Sequence, residues 1–219
     1  RVLDLRNERS LLTQYQDNIS TLRENANVVY STVNAMKRLS DRASEIATMA
    51  DGTKAASALS AYAMEVDQLL EETLRLSNTQ HRDVYIFSGT KSKDATYTAT
   101  RDADEQITAV SFDGNSNSAK IDIAPSTSMN GNFSAEGIHG VLKNSANGVD
   151  FIQHLIDLRD NLTTAADTSL AKDANLAALA TIKDTVLGDL DKDEVNFIDH
   201  FSSIGATLSR LETSEAITK

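Results

Sequence analysis

The chain has 219 residues, with 21 Lys and Arg against 32 Asp and Glu, a formal net charge of −11. That acidic balance argues against a general nucleic-acid binder, which needs a basic stripe to displace counterions. Cys is absent, so there is no disulfide framework, thiolate zinc site, iron–sulfur cluster or cysteine nucleophile.

Breakers are scarce and uneven. Pro125 is the only Pro, and there are nine Gly. Residues 1–51 contain neither, whereas Gly89 to Gly148 hold six of the nine Gly and the Pro. The chain therefore reads as helical, then turn-rich, then helical. Aromatics are only 5% and Trp is absent, so the apolar residues are mostly Ala, Leu, Val and Ile. Small aliphatic residues suit narrow helix–helix seams better than an aromatic-lined pocket. No run approaches the roughly 18 apolar residues of a membrane helix. No charged-then-apolar leader opens the chain.

The first segment carries a heptad. Leu12, Tyr15, Ile19, Leu22, Ala26, Val29, Val33 and Met36 keep one apolar stripe on one side of a helix. After Met36 the stripe steps by three to Leu39, then to Ala43, Ile46 and Met49, which predicts local overwinding. A helix from Leu11 to Ala50 would be about 60 Å long. Asp51-Gly52-Thr53 ends it, with Gly52 available for a left-handed cap. Ala55, Leu59, Tyr62, Val66, Leu69, Thr73 and Leu76 predict a second helix, antiparallel to the first across a short turn.

From Val84 the period changes to two. Val84–Phe87, Thr96–Thr98 and Ile107–Phe112 read as strands. Asp113-Gly114 is a hairpin signal after which Lys120–Ile123 is expected to pair back, with Pro125 just past the strand. Helix returns after Gly148. Asp150 is placed to cap a helix carrying Phe151, Leu155, Leu158, Leu162 and Ala165. A last helix from Asp173 carries Leu176, Leu179, Ile182, Val186 and Leu190, then Phe197, Phe201, Ile204, Leu208 and Leu211. Both ends, Val2–Arg6 and Ile217–Lys219, run through a helical pattern without a cap. They are expected to continue into longer helices in a fuller protein.

Chemistry-bearing patterns are weak. His81, His139, His154 and His200 form neither HxxxH nor HExxH. His154 with Asp157, and Asp199 with His200, have metal-ligand character, but a solvated helix face is the plainer reading. Asp191, Asp193 and Glu194 lack the Gly and distal Glu of a calcium loop and read as the wet side of a helix. Gly89-Thr90-Lys91-Ser92 has only the end of a phosphate loop and reads as a turn. Asp102, Asp104 and Glu105 are expected to crown a hairpin. No catalytic, cofactor or metal residue is assigned.

The stretch from Leu74 to Lys91, LRLSNTQHRDVYIFSGTK, resembles the flagellin superfamily, and most of all its hook-associated protein 3 family. In that family a helix ends in an L-A-N-T-Q-like segment and a Y-L-F-x-G-T-K strand follows. Ser77 stands here for a frequent Ala, and Asp83 for a frequent Gly. Glu65–Leu70 is similar to the helix before that strand, and Gly148–Ile152 to the G-x-D-x-F re-entry turn. Ser203–Glu212 is similar to V-G-A-R-L-x-R-L-E, with Thr207 for Arg.

The resemblance implies an α+β fold, an elongated antiparallel bundle of long helices from both chain ends with a small inserted β-rich outer domain. The expected division is a helical rod from 1–86 plus 141–219, with the outer domain at 87–140. The bundle seam is expected to use Leu12, Ile19, Leu22, Val29, Val33, Met36, Leu59, Val66, Leu69 and Leu76 from the first half. From the second half come Phe151, Leu155, Leu158, Leu162, Val186, Leu190, Phe201, Ile204, Leu208 and Leu211. The implied role is mechanical and not enzymatic: a junction protein of the flagellum, exported unfolded by the type III route and located outside the cell at the hook–filament junction. Its implied partners are further copies in a ring or helical assembly, hook-associated protein 1 below, flagellin above and an export chaperone in the cell. No cofactor, nucleic acid or membrane is expected, and this stretch alone should be a monomer. A filament-forming flagellin is the alternative, disfavoured because that family has a T-x-F-N-G-type segment at the corresponding place.

Overall fold

The computed structural model describes the backbone of residues 2–218 and the side chains of residues 5–216. The ends expected to be helical, Val2–Arg6 and Ile217–Lys219, are helical from Val2 and as far as Thr218, and Lys219 lies outside the described residues. Helix α1 runs over Val2–Met49 and α2 over Ala56–Ser77. Nine short strands follow: β1 Gln80–His81, β2 Val84–Tyr85, β3 Tyr97–Arg101, β4 Ile107–Phe112, β5 Lys120–Ala124, β6 Thr127–Asn130, β7 Glu136–Gly137, β8 Lys143–Asn144 and β9 Val149–Asp150. Then come α3 (Phe151–Ala166), α4 (Lys172–Thr181), a π-helical turn over Ile182–Val186, and α5 (Leu187–Thr218). The architecture is the α+β one expected, with long helices from both ends of the chain and small sheets between them.

The bundle closes in two antiparallel pairs. α1 lies chiefly against α5 and α2 against α3. Arg23 bonds Glu215 at 2.6 Å and Lys37 bonds Glu194 at 3.1 Å, so the partner number falls as the α1 number rises. The α1–α2 connection also departs from the reading of the sequence. Gly52 has no left-handed backbone. The Asp51 carboxylate organises the turn instead, accepting from Thr53 N at 2.9 Å.

Two details of α1 differ from expectation. The helix reaches back to Val2. Its buried line is not interrupted at Leu39, because Ser40, Ala43, Ala47 and Ala50 are buried and carry the steps of four and three onward. A serine in the seam hid the continuity. At the other end, α4 and α5 form one helical run whose register is shifted by the π turn, where one extra residue widens a turn.

The strands make four small sheets. β1–β2 is a hairpin whose corner residues, Arg82 and Asp83, have φ of 52° and 60°. That is the left-handed geometry of a two-residue hairpin turn. β3 pairs with β4 and β5 with β6, all antiparallel. The pairing of Lys120–Ile123 back onto Ile107–Phe112 is therefore wrong. Asp113-Gly114 does not reverse the chain: Asp113 N donates to Thr96 O, and Asn115 N to Ser88 O, which carries the backbone across to Ser88. β4 is already satisfied by β3 through the Asp102–Gln106 turn, where Asp102 Oδ1 accepts from Asp104 N and Gln106 N. β7 pairs parallel with β8, and β8 antiparallel with β9.

One core runs along the bundle and into the sheets through Phe87, Tyr97, Ile107, Ala135, Val141 and Leu142. A second, smaller cluster joins Ile19, Leu22 and Leu211 to Ile123 and Met129. The β5–β6 hairpin thus folds back along the rod instead of standing clear of it, and Asn18 Nδ2 donates to Asp122 O at 2.8 Å.

Candidate functional site

The residues picked from the heptads fall along the interior of the bundle. Ile19, Leu22, Val29, Val33, Met36, Leu59, Val66 and Leu76 are buried, as are Phe151, Leu155, Leu158, Leu162, Val186, Leu190, Ile204 and Leu211. Leu69, Phe201 and Leu208 are half-buried and pack against the same core. Leu12 is different: it is 40% exposed, near the end of α1 that has little chain beside it. Each fully buried aliphatic side chain contributes about 1.5–3 kcal/mol relative to exposure. The seam is thus the dominant cohesive element of the rod.

Polar ties fix how the pieces sit on that seam. Arg42 reaches from α1 to α2 with a two-pronged bond to Glu65, at 2.6 and 3.0 Å. That hydrogen bond, offset in part by desolvation, holds the Glu65 carboxyl below its ordinary value. Arg159 on α3 is buried and binds Asp67 of α2 at 3.1 Å, Asp160 at 2.8 Å and the Ile107 carbonyl at 2.7 Å. One guanidinium therefore joins α2, α3 and β4. Asn78, just past α2, acts as a surrogate strand: its amide donates to Tyr97 O and accepts from Tyr97 N, each at 2.9 Å. Arg101 on β3 pairs with Glu71 of α2. The sheets are thereby docked on the rod at several fixed points.

Gly89 makes the corner that ends the YIFSG run. Its φ is 63°, and a Cβ there would come within 2.0 Å of Asn115 O. Only Gly fits, because the chain must turn left-handed against another backbone. The segment Gly89–Ser92 is such a turn.

The histidines and acids need two corrections. His154 is not on a solvated face and does not meet Asp157. It is buried and faces Asp193 across the bundle, with Nδ1 and Oδ2 at 2.8 Å. Asp193 is not on the wet side of its helix; it is fully buried, whereas Asp191 is exposed and Glu194 bonds Lys37. His200 places Nε2 3.2 Å from Gly140 O, and burial pushes its pKa down. His81 stands 4.0 Å from Glu24. Among the described residues no three His, Asp or Glu side chains converge as a metal site. No helix among them is long and apolar enough to cross a membrane.

Arg159, Asn78 and the His154–Asp193 pair were missed from sequence. A signal existed for Asp193. The apolar line jumps from Leu190 straight to Phe197, and Asp193 occupies the skipped position.

Two hollows lie beside the sheets. An apolar one of about 320 Å³ is walled by Val29, Ile86, Ile121 and Phe133. A polar groove of about 720 Å³ is lined by Asn130, His139, His200 and Arg210, among others. On the outer side of α5, Val195 and Ile198 are exposed, and so is Ile138 in the loop before β8.

No family model matches this sequence, and no curated protein does. Solved structures do. Hook-associated protein 3 from Legionella pneumophila superposes with a TM-score of 0.82 at 14% identity, covering 100% of this chain and 94% of that one. FlgL from Xanthomonas campestris gives 0.81 at 13% identity, covering 96% and 94%. A structure described as the flagellar junction protein FlgL from Legionella pneumophila gives 0.76 at 14% identity, covering 98% and 94%. Agreement spans both helical ends and the sheets between them, so this chain has the fold of the flagellar hook-associated protein 3 structures.

Proposed function

We propose that the chain is a structural component of the bacterial flagellum, a junction protein that links hook-associated protein 1 to the flagellin filament. The observation that carries this reading is the match over nearly the whole of both chains to proteins described as hook-associated protein 3 and junction protein. The rod supports it physically. A long seam between opposite ends of the chain makes a stiff element that transmits load along its length, and outward faces remain free for neighbours. Heterologous contacts between identical rods close into a ring or extend as a helix.

On this reading the chain works outside the cell, after type III export in an unfolded state with a chaperone's help. The working division is a rod of residues 1–86 and 141–219 and an outer domain of residues 87–140. The sheets β1–β2 and β7–β9 form the joint between them. Work is mechanical and needs no cofactor.

Deleting the gene and examining the cells by electron microscopy tests the proposal. Completed hooks without filaments, and flagellin lost to the medium, are expected. Normal filaments would overturn it. Filaments grown from seeds by the purified full-length protein alone would point to a flagellin instead.

A further inference from the structure

His154 and Asp193 meet where α3 leans on α5, the carboxylate fully buried and the imidazole nearly so. Asp193 Oδ2 lies 2.8 Å from His154 Nδ1, and Asp193 Oδ1 has no hydrogen-bond partner. A buried carboxylate with an unused oxygen is costly to the fold unless a positive charge compensates it.

The surroundings contain little else to compensate it. Asp189, one turn earlier on α5, is held by Lys192 at 2.6 Å. Asp150, at the head of α3, is held by Lys143 of β8 at 2.8 Å. Beyond Asp150, Glu136 of β7 accepts from Tyr97 of β3. On the α1 side, Lys37 bonds Asp41 and Glu194. Asn196 turns to Gly140 O, Val141 O and Asn144. His200 faces Gly140 O. Among the described residues, then, the imidazole of His154 is the sole cationic group hydrogen-bonded to Asp193, while Lys192, held by Asp189, feels the Asp193 charge from further off.

We propose that His154 and Asp193 form a proton-operated latch. The protonated imidazole neutralises the sealed carboxylate and holds α3 to α5. Loss of that proton leaves a buried negative charge without compensation, and the joint loosens. Asp150 both ends β9 and caps α3, so the joint concerned is the one through which the chain leaves the sheets and re-enters the bundle. The latch stands whether or not the chain works in a flagellum.

The sign follows from the environment. Burial pushes Asp193 up to about 6, against the lowering effect of His154. Desolvation works to lower His154, but the hydrogen bond and charge of Asp193, with Asp189 and Asp150, outweigh it and raise the group. Both folded values exceed the unfolded ones. The stability from His154 is complete below its ordinary 6.5 and is lost as pH rises through its raised value. That from Asp193 is lost between 3.8 and about 6. The ion pair is therefore fullest between about 6, above which Asp193 is ionised, and the raised His154 value, and the joint weakens toward alkaline pH. His200 works in the opposite sense: its value is lowered by burial, so its contribution is lost as pH falls.

Hydrogen exchange, corrected for intrinsic rates, tests the latch in the wild-type chain, Asp193→Asn and His200→Gln at about pH 6 and about pH 8.5. In the wild type and in His200→Gln, protection of amides in 151–155 and 193–197 should fall severalfold from the lower to the higher pH. In Asp193→Asn the fall should be absent. Parallel profiles for wild type and Asp193→Asn would overturn the proposal. Should Asp193→Asn fail to fold, the His154 ring is titrated by NMR in the unaltered chain. Titration above 6.5 supports the latch, and titration at or below that value overturns it.

Discussion

Leu155 and Leu12 were both chosen by heptad spacing, yet the structure assigns them opposite energetic weights. Leu155 is fully buried in the main core, whereas Leu12 is 40% exposed. Leu155→Ala removes its buried methyl-bearing carbons and leaves a cavity that the packed helices cannot fully close. Substitutions of this kind cost about 2–5 kcal/mol. For a chain of this size each kcal/mol shifts Tm by roughly 2–4 °C, so a fall of about 10 °C is expected. Leu12→Ala removes contacts that water already shares and gains slightly in helix propensity, so its stability should stay within about 0.5 kcal/mol of wild type. Calorimetry of both variants beside the wild type is the assay. Equal effects from the two substitutions would refute the claim that burial along this seam, rather than heptad position as such, holds the rod together.

Gly89→Ala should destabilise the chain by about 1–3 kcal/mol, because a left-handed residue would be forced against Asn115 O. By contrast, Gly188→Ala and Gly205→Ala lie in α5 with nothing near their added carbon and should stabilise it by about 0.5–1 kcal/mol each. Urea melts that rank the three alike would contradict the backbone assigned to Gly89. The Arg42–Glu65 bond should make the wild type more acid-sensitive than Arg42→Gln. Glu65 is lowered from its ordinary 4.5, so its contribution is present above that value and lost as pH falls through the lowered one. Urea midpoints followed from about pH 6 down to about pH 3 should converge between the two proteins. Curves that stay parallel would remove the bond from the account.

Long-range helical order was legible because an apolar stripe repeated over many turns has few other uses. The 48-residue α1 and its partner α5 write that stripe plainly at Ile19, Val29, Val33, Ile204 and Leu211. Polar residues in the seam obscured it. Ser40 hid the course of the buried line beyond Met36, and Asp193 looked like a solvated acid because neighbouring acids surround it in sequence. The π turn at Ile182–Val186 left no mark that spacing alone could read. Strand pairing was the least legible part. Runs of four to six residues fit several partners, and the choice of β3 for β4 rests on the Asp102 turn and on contacts of Ser88 and Asn115 that lie far apart in sequence. The docking role of Arg159 depends on α2, α3 and β4 arriving together, which no local pattern announces.

The central claim is that helices from opposite ends of the chain lie side by side in reverse direction. Because Cys is absent, spin labels can be placed in pairs at will, and distances between them read by pulsed electron resonance. Pairs at 23 with 215 and at 37 with 194 should both be short, as their ion pairs require. The crossed pairs, 23 with 194 and 37 with 215, should each be longer by roughly 20–30 Å, the length of the fourteen helical residues from 23 to 37 and of the twenty-one from 194 to 215. Four similar distances, or crossed pairs shorter than the direct ones, would contradict the rod.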